Sequence, residues 1–438
     1  GGENTIRFTE GGAEISGSGL ARSGSVVTIS QPGSYTVSGK TLDGQLVVDV
    51  PGEGVELELM LDGVSITNLS GPAIHIETGK DLKLKFRGEN SLTSGTPVMP
   101  SDGSSSGAAL YAEDDMSIRG EDDGILKVFG YINNGIACKN DLDLKSGSIQ
   151  VVAVNNGIRG SDSVEIKGGK VTVEAGNDGV KSTTIDKEGK GYIHVEGGSL
   201  TVTAVGDGLS AETELKLLGG SVTVNTTGDP QRESCKGLKA NRSVSLEGGS
   251  LRVEAQDHAL QCNGDIAISG GELELRSVQA KGIKPDGSLS VSGGSLRVQS
   301  VEDGVDSIGD VSISGGAVEI RSTRDGIQSG EANSGRGSVL ISGGTLLVDA
   351  GKLGFNPRGE LNISGGVVLA LSGSEKNLPG RGFAQQSWDG VRGSELSLSR
   401  DGAVLAALRS QYGFRSVLAG VPDGACSLTD GNRTIEIG

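Results

Sequence analysis

A pair of adjacent glycines returns along most of this chain at a nearly fixed step. The second glycine of the pair falls at Gly169, Gly198, Gly220, Gly249, Gly271, Gly294, Gly316, Gly344 and Gly366, with steps of 29, 22, 29, 22, 23, 22, 28 and 22 residues. After the pair comes the same alternation of apolar residues: Val171/Val173, Leu200/Val202, Val222/Val224, Leu251/Val253, Leu273/Leu275, Leu296/Val298 and Val318/Ile320. A period of this length marks a solenoid, whose repeats bury their apolar faces only against one another.

One repeat shows the plan. Ser163-Val164-Glu165-Ile166-Lys167 alternates with period two, Gly168-Gly169 turns, and Lys170-Val171-Thr172-Val173-Glu174 alternates again. Asn177-Asp178-Gly179 turns once more, and Val180-Lys181-Ser182 makes a third short strand. Three short strands and three bends per repeat predict an all-β fold, a single-stranded parallel β-helix. The outward residues of the second strand in four successive coils are Arg252, Glu274, Arg297 and Glu319. Opposite charges alternating along a stack are what cross-strand pairing favours. Weaker coils run upstream through Gly147, Gly124, Gly88 and Gly63. That makes roughly fourteen coils and, at about 4.8 Å each, an axis on the order of 65 Å. Residues 1–45 and 374–438 break the period and are expected to cap the ends of a helix spanning 46–373. Extra residues collect at 94–106 and 226–235 after the second strand, and at 184–191 and 330–337 after the third. Loops gathered on certain bends are where solenoids usually place a binding surface.

Composition narrows the partners. Gly contributes 75 of 438 residues and aromatics only 3%, so a compact core built on large rings is excluded. The net charge of −17 argues against nucleic acid and points to cations or cationic partners. No run of 18 apolar residues offers a membrane span. Cys138, Cys235, Cys262 and Cys426 lack metal or redox spacing, and Cys138 and Cys262 share a slot held elsewhere by Ala211, Ala240, Ser307 or Ser329, so buried free thiols are expected. The chain begins Gly1-Gly2-Glu3 without Met, as a piece lacking its leader would. A secreted or cell-surface protein, monomeric and tethered by a lipid-modified Cys upstream of Gly1, fits that start.

The ordered N-terminal segments carry a family likeness. They are Gly33-Ser34-Tyr35-Thr36-Val37-Ser38-Gly39, Gly44-Gln45-Leu46-Val47-Val48-Asp49, Leu61-Asp62-Gly63-Val64-Ser65-Ile66-Thr67-Asn68 and Gly71-Pro72-Ala73-Ile74. With the later Asp-Gly-apolar corners, the chain resembles a family of secreted bacterial carbohydrate-binding proteins, similar in fold to family-nine pectate lyases. That resemblance implies a right-handed parallel β-helix. It also implies binding of plant cell-wall polysaccharide, cellulose or acidic sugars such as polygalacturonate, with Ca²⁺ on the coil.

The corner before the third strand reads Asn134, Asn156, Asp178, Asp207, Lys236, His258, Lys281, Asp303 and Asp325, nearly always followed by Gly. Asn and Asp bond nearby backbone in turns, and the glycine is expected in a left-handed conformation. A calcium site is the sharper possibility, because carboxylates stacked at about 4.8 Å repel unless a cation lies between them. Glu302, Asp303, Asp306 and Asp325 form the densest such cluster, with Asp178 and Asp207 a second, to which Asn156 and Asn177 add neutral oxygens. On the third strand the outward residues read Arg159, Lys181, Ser210, Lys239, Gln261, Lys284, Asp306 and Gln328. Arg159, Lys181, Lys239 and Lys284 would make a track for uronic acid carboxylates, or a solvated face paired with nearby Asp.

Ligand type follows in part. A platform for neutral cellulose uses exposed rings, and residues 132–372 hold only Tyr192 and Phe355. His75, His194 and His258 occupy different slots and read as surface or corner residues, with no nucleophile–base arrangement among them. Three classes stand open. One is a non-catalytic, calcium-associated binder of acidic or cellulosic polysaccharide. The second is a calcium-dependent lyase in which Lys284 removes the proton beside a neutralised carboxylate. The third is a structural adhesin or spacer.

Overall fold

The computed structural model describes residues 3–52, 56–79, 81–97, 107–332, 335–420 and 424–437. Most of the predicted insertion 94–106, and the middle of 330–337, lie outside them. Among the described residues there is no helix, and nothing long and apolar enough to cross a membrane as one. The chain divides into two compact units, Gly1–Gly228 and Asp229–Gly438. Each is a parallel β-solenoid, as the repeat predicts.

In the first unit the third strands form one in-register column: Val26–Ile29, Gln45–Asp49, Ile74–Thr78, Ala108–Ala112, Asn134–Cys138, Ile158–Gly160, Val180–Lys181 and Leu209–Ala211. Parallel pairing already joins Val26–Ile29 to Gln45–Asp49, inside the stretch where the sequence shows no repeat. Asn4–Thr9 runs antiparallel to Gly12–Ser16 and parallel to Gly33–Thr41. The inward residues Ile136, Ile158, Val180 and Leu209 are at most 1% exposed and stack on their equivalents one coil away. Burying each such side chain contributes roughly 1.5–3 kcal/mol.

The second unit repeats the arrangement with third strands Leu238–Ala240, Leu260–Cys262, Ile283–Pro285, Val305–Ser307, Ile327–Ser329 and Phe355–Pro357. The register Arg252↔Glu274↔Arg297↔Glu319 is the one the sequence predicts. Arg252 touches Glu274, and Arg297 lies 3.8 Å from Glu274 and 3.9 Å from Glu319. The strand Leu361–Ser372 pairs antiparallel with Phe414–Gly420. A four-stranded antiparallel sheet, Glu395–Arg400, Ala403–Arg409, Cys426–Thr429 and Thr434–Ile437, follows. Its core includes Trp388, whose Nε1 donates to Asp430 Oδ2 at 3.1 Å. Asp349, wholly buried, accepts from Ser410 Oγ at 2.9 Å and ties this segment to the solenoid. All four cysteines are buried free thiols, and burial pushes Cys138 up to about 12.

The glycines serve two purposes. Second members of the pairs, from Gly169 to Gly366, have φ between 75° and 89°, a region closed to most side chains. The corner glycines do not share it, which corrects the expectation of a left-handed corner: Gly157, Gly179, Gly282 and Gly304 are absent from the positive-φ residues. Their constraint is contact. A Cβ on Gly282 would lie 2.2 Å from Val298 Cγ1 and 2.6 Å from the Gly304 carbonyl oxygen. One coil has Ala259 instead, and the repeat sets Leu275, which is not branched at Cβ, where Val298 stands one coil on.

Candidate functional site

In most third strands the middle residue is half-buried between two buried neighbours, so one side chain per coil faces away from the core, although Tyr111, Ala137 and Asn356 in that position are buried. In the first unit this column reads His75, Tyr111, Ala137, Arg159, Lys181 and Ser210 in register. The sequence places Arg159 and Lys181 here but misses His75 and Tyr111. The signal was present in the frames Ala73-Ile74-His75-Ile76 and Ala109-Leu110-Tyr111-Ala112, hidden by the long insertion between them. The two rings stack with centroids 5.2 Å apart and 21° between planes. Arg159 Nη2 reaches Thr183 Oγ1 at 3.4 Å, while its Nε is buried with no hydrogen-bond partner. Lys181 Nζ donates to Asp178 Oδ2 at 2.6 Å. The loop 184–191 also folds back on acids, with Lys187 on Asp162 at 3.0 Å and Lys190 on Asp141 at 2.5 Å.

The neighbouring corner column is a ladder of side chains reading the next coil's backbone. Asn134 Oδ1 accepts from the Asn156 amide at 3.2 Å, Asn156 Oδ1 from Asp178 at 3.3 Å, and Asp178 Oδ1 from Asp207 at 2.8 Å. A second ladder runs beside it, where Asn177 Nδ2 donates to Asn155 Oδ1 at 3.1 Å and Asn155 Nδ2 to Asn133 Oδ1 at 2.6 Å. Asp178 thus spends one oxygen on a backbone amide and the other on Lys181.

In the second unit the outward column reads Lys239, Gln261 and Lys284 in register, and Asp306, Gln328 and Asn356 in register. Lys284 Nζ donates to Asp286 Oδ1 at 2.6 Å. Asp306 contacts Lys281 and accepts from Gln328 Nε2 at 2.8 Å. Gln261 Oε1 is buried without a partner. At the corner, Asp303 Oδ1 accepts from the Asp325 amide at 3.1 Å, and Asp325 Oδ2 from Asn356 Nδ2 at 2.6 Å. Burial pushes the Asp303 carboxyl upward. Glu302 points to Arg324 at 3.8 Å. His258 takes the role that Asn and Asp play elsewhere, its Nδ1 accepting from the Lys281 amide at 3.2 Å.

These partners bear on the calcium expectation. At Asp178, Asp306 and Asp325 both carboxylate oxygens, and at Asp303 Oδ1, are engaged by ammonium, amide or backbone donors, where an ion needs six to eight open oxygens. Among the described residues no three His, Cys, Asp or Glu side chains group as metal ligands. The clusters Glu302/Asp303/Asp306/Asp325 and Asp178/Asp207 therefore hold most of their described oxygens on protein donors rather than open to an ion. Lysines and main-chain amides already offset the repulsion for which the sequence suggests calcium.

Fold and face together define a parallel β-solenoid with a polar column along its short strands. The chain belongs to a carbohydrate-binding family: the model for "carbohydrate-binding domain-containing protein" matches residues 23–280 and 271–406. A relative of the same description from Acetivibrio thermocellus is 39% identical over 140 residues, 31% of this chain and 48% of the relative. The chain thus spans about half the length of that curated relative. A solved polysaccharide lyase-like protein from C. thermocellum, as a gadolinium derivative, matches with a TM-score of 0.50 at 32% identity. That match covers 56% of this chain and 96% of the other.

Proposed function

We propose that this chain binds polysaccharide without catalysis, holding an extended glycan along the outward column of third strands within a unit. The observation that carries this reading is that each unit's column holds a buried polar atom with no hydrogen-bond partner among the described residues, Arg159 Nε in the first and Gln261 Oε1 in the second. Such atoms are uncommon in folded proteins and call for an explanation, of which a ligand is one. Sites repeating at about 4.8 Å suit a linear polymer, because many weak contacts sum along it. The guanidinium of Arg159 suits a carboxylate, so polymers containing uronic acids are the favoured class. Calcium has no part in this proposal. Such a ligand lies outside the cell, so secretion belongs to the same proposal.

Binding of polygalacturonate and of a neutral glucan, each measured by calorimetry, tests it. Arg159→Ala is expected to weaken polygalacturonate about tenfold, the loss of one charge-assisted hydrogen bond. Equal binding of both polymers, unchanged by the substitution, would remove the acidic preference.

The lyase-like neighbour favours one alternative, elimination with Lys284 as base. A base needs a free lone pair, and Lys284 Nζ is donating to Asp286. Incubation with polygalacturonate, followed by the ultraviolet absorbance of an unsaturated product, separates the two. Product that vanishes in Lys284→Ala would establish the lyase.

A further inference from the structure

In the first unit a cavity of about 320 Å³ opens beside the stacked rings of His75 and Tyr111. Small-molecule pockets span roughly 300–1,000 Å³, so this one has room for a single sugar ring rather than a length of chain. Its wall is of two kinds. Pro72, Ile132 and Tyr111 are apolar, whereas Ser94, His75 and Glu113 bring polar atoms. Tyr111 packs with Ala108 and Ala137, which together with the His75 stack holds its ring in place.

Two features point to a ligand and to its charge. Ser94 Oγ is buried with no hydrogen-bond partner among the described residues and Ser94 lines the cavity, whereas His75 Nε2 already faces Glu113 Oε1 at 3.7 Å. Glu113 stands at the cavity with its charge already paired to Lys139, and no Lys or Arg is among the lining residues. A carboxylate only accepts, so it favours a hydroxyl donor and disfavours a second carboxylate.

We propose that this cavity recognises one neutral pyranose residue, with C–H groups of the sugar against the uncovered edge of Tyr111 and its hydroxyls toward Ser94 and Glu113. The proposal rests on the carbohydrate-binding reading above and narrows it. Tyr111 and Arg159 are two rungs apart, about 10 Å, so one glycan could place a neutral unit in the cavity and an acidic one at Arg159.

The test titrates the full chain with methyl glycosides of neutral hexoses and of galacturonic and glucuronic acid, followed by saturation-transfer NMR. Binding of a neutral glycoside is expected, with transfer strongest to its ring C–H protons. Tyr111→Ala is expected to weaken it about tenfold and Tyr111→Phe, which keeps the ring, far less. Ser94→Ala removes the hydroxyl with little change of shape and is expected to weaken binding while leaving the melting temperature in place. Uronic glycosides binding as well as neutral ones would overturn the proposal. So would neutral binding indifferent to both Ser94→Ala and Tyr111→Ala. If every methyl glycoside fails while polysaccharide still binds through Arg159, the cavity assignment falls and the reading of the column stands. If polysaccharide fails too, both fall.

Discussion

The corner column does the same work in the two units with different side chains. In the first unit Asn134, Asn156 and Asp178 each accept a backbone N–H from the next coil. In the second, Asp303 and Asp325 do so, but two rungs upstream of Asp303 the acceptor is the ring nitrogen of His258. Where the corner holds an acceptor its reach is shared and its charge is incidental, while Lys236 and Lys281 interrupt the run. Where the slot holds a titratable ring, a pH dependence enters that the amide version lacks.

The corner glycines give the largest test of that shared geometry. Gly282→Ala is expected to cost about 3 kcal/mol in chemical denaturation, because the new Cβ meets both a side chain and a carbonyl. Adding Val298→Leu, which copies the Ala259/Leu275 coil, is expected to recover at least half. A double variant no more stable than the single one would show that the pairing at that coil is coincidence.

His258 follows. Burial drives its pKa from 6.5 to about 4, outweighing the attraction of Asp257, with Lys236, Lys281 and Lys284 adding to the fall. The unfolded state therefore binds more protons across that window, and stability falls as pH drops from 6.5 toward 4. The loss should reach about 3 kcal/mol. His258→Asn, which restores the side chain of the first unit, is expected to flatten that slope, and a slope unchanged in the variant would assign it elsewhere.

Asn156→Ala leaves the Asp178 amide without its acceptor and is expected to cost about 1–2 kcal/mol by thermal melting. Asp178→Asn keeps that acceptor and gives up only the pair with Lys181, which is about one-third exposed, so it should cost under about 1 kcal/mol. If the second loss exceeds the first, the ion pair rather than the ladder holds this corner. The smallest effect concerns metal: a chelator, or added Ca²⁺, is expected to move the melting temperature by less than about 1 °C. A clear rise with Ca²⁺ would mean that the lysine contacts yield to the ion.

Much of the solenoid was legible because the glycine pair numbers every residue within its coil. That numbering suffices to place Arg252, Glu274, Arg297 and Glu319 in one stack and Cys138 and Cys262 in one buried slot. It also picks out the corner residues, but not what they hold. An aspartate reads alike in sequence whether its oxygens face a calcium ion, a lysine from two or three residues away, or an amide one coil on. His75 and Tyr111 escaped because a long insertion breaks the count between them. The corner glycines were misread because tight contact and backbone conformation both select glycine, and only the surroundings of each Cα distinguish them.

In-register stacking has one more consequence. Glu274 meets Arg297 as Arg297 meets Glu319, and Leu273 meets Leu296 as Leu296 meets Val318. Either side of such a coil therefore presents nearly the same apolar outline. A duplicated pair of coils such as residues 272–316, the steps of 23 and 22 residues from Gly271 to Gly316, would meet neighbours like those it already has. The polar column can thus grow or shrink by whole rungs through gene duplication or deletion, without redesign of the core. Its length is a quantity that evolution can count out in units of about 4.8 Å.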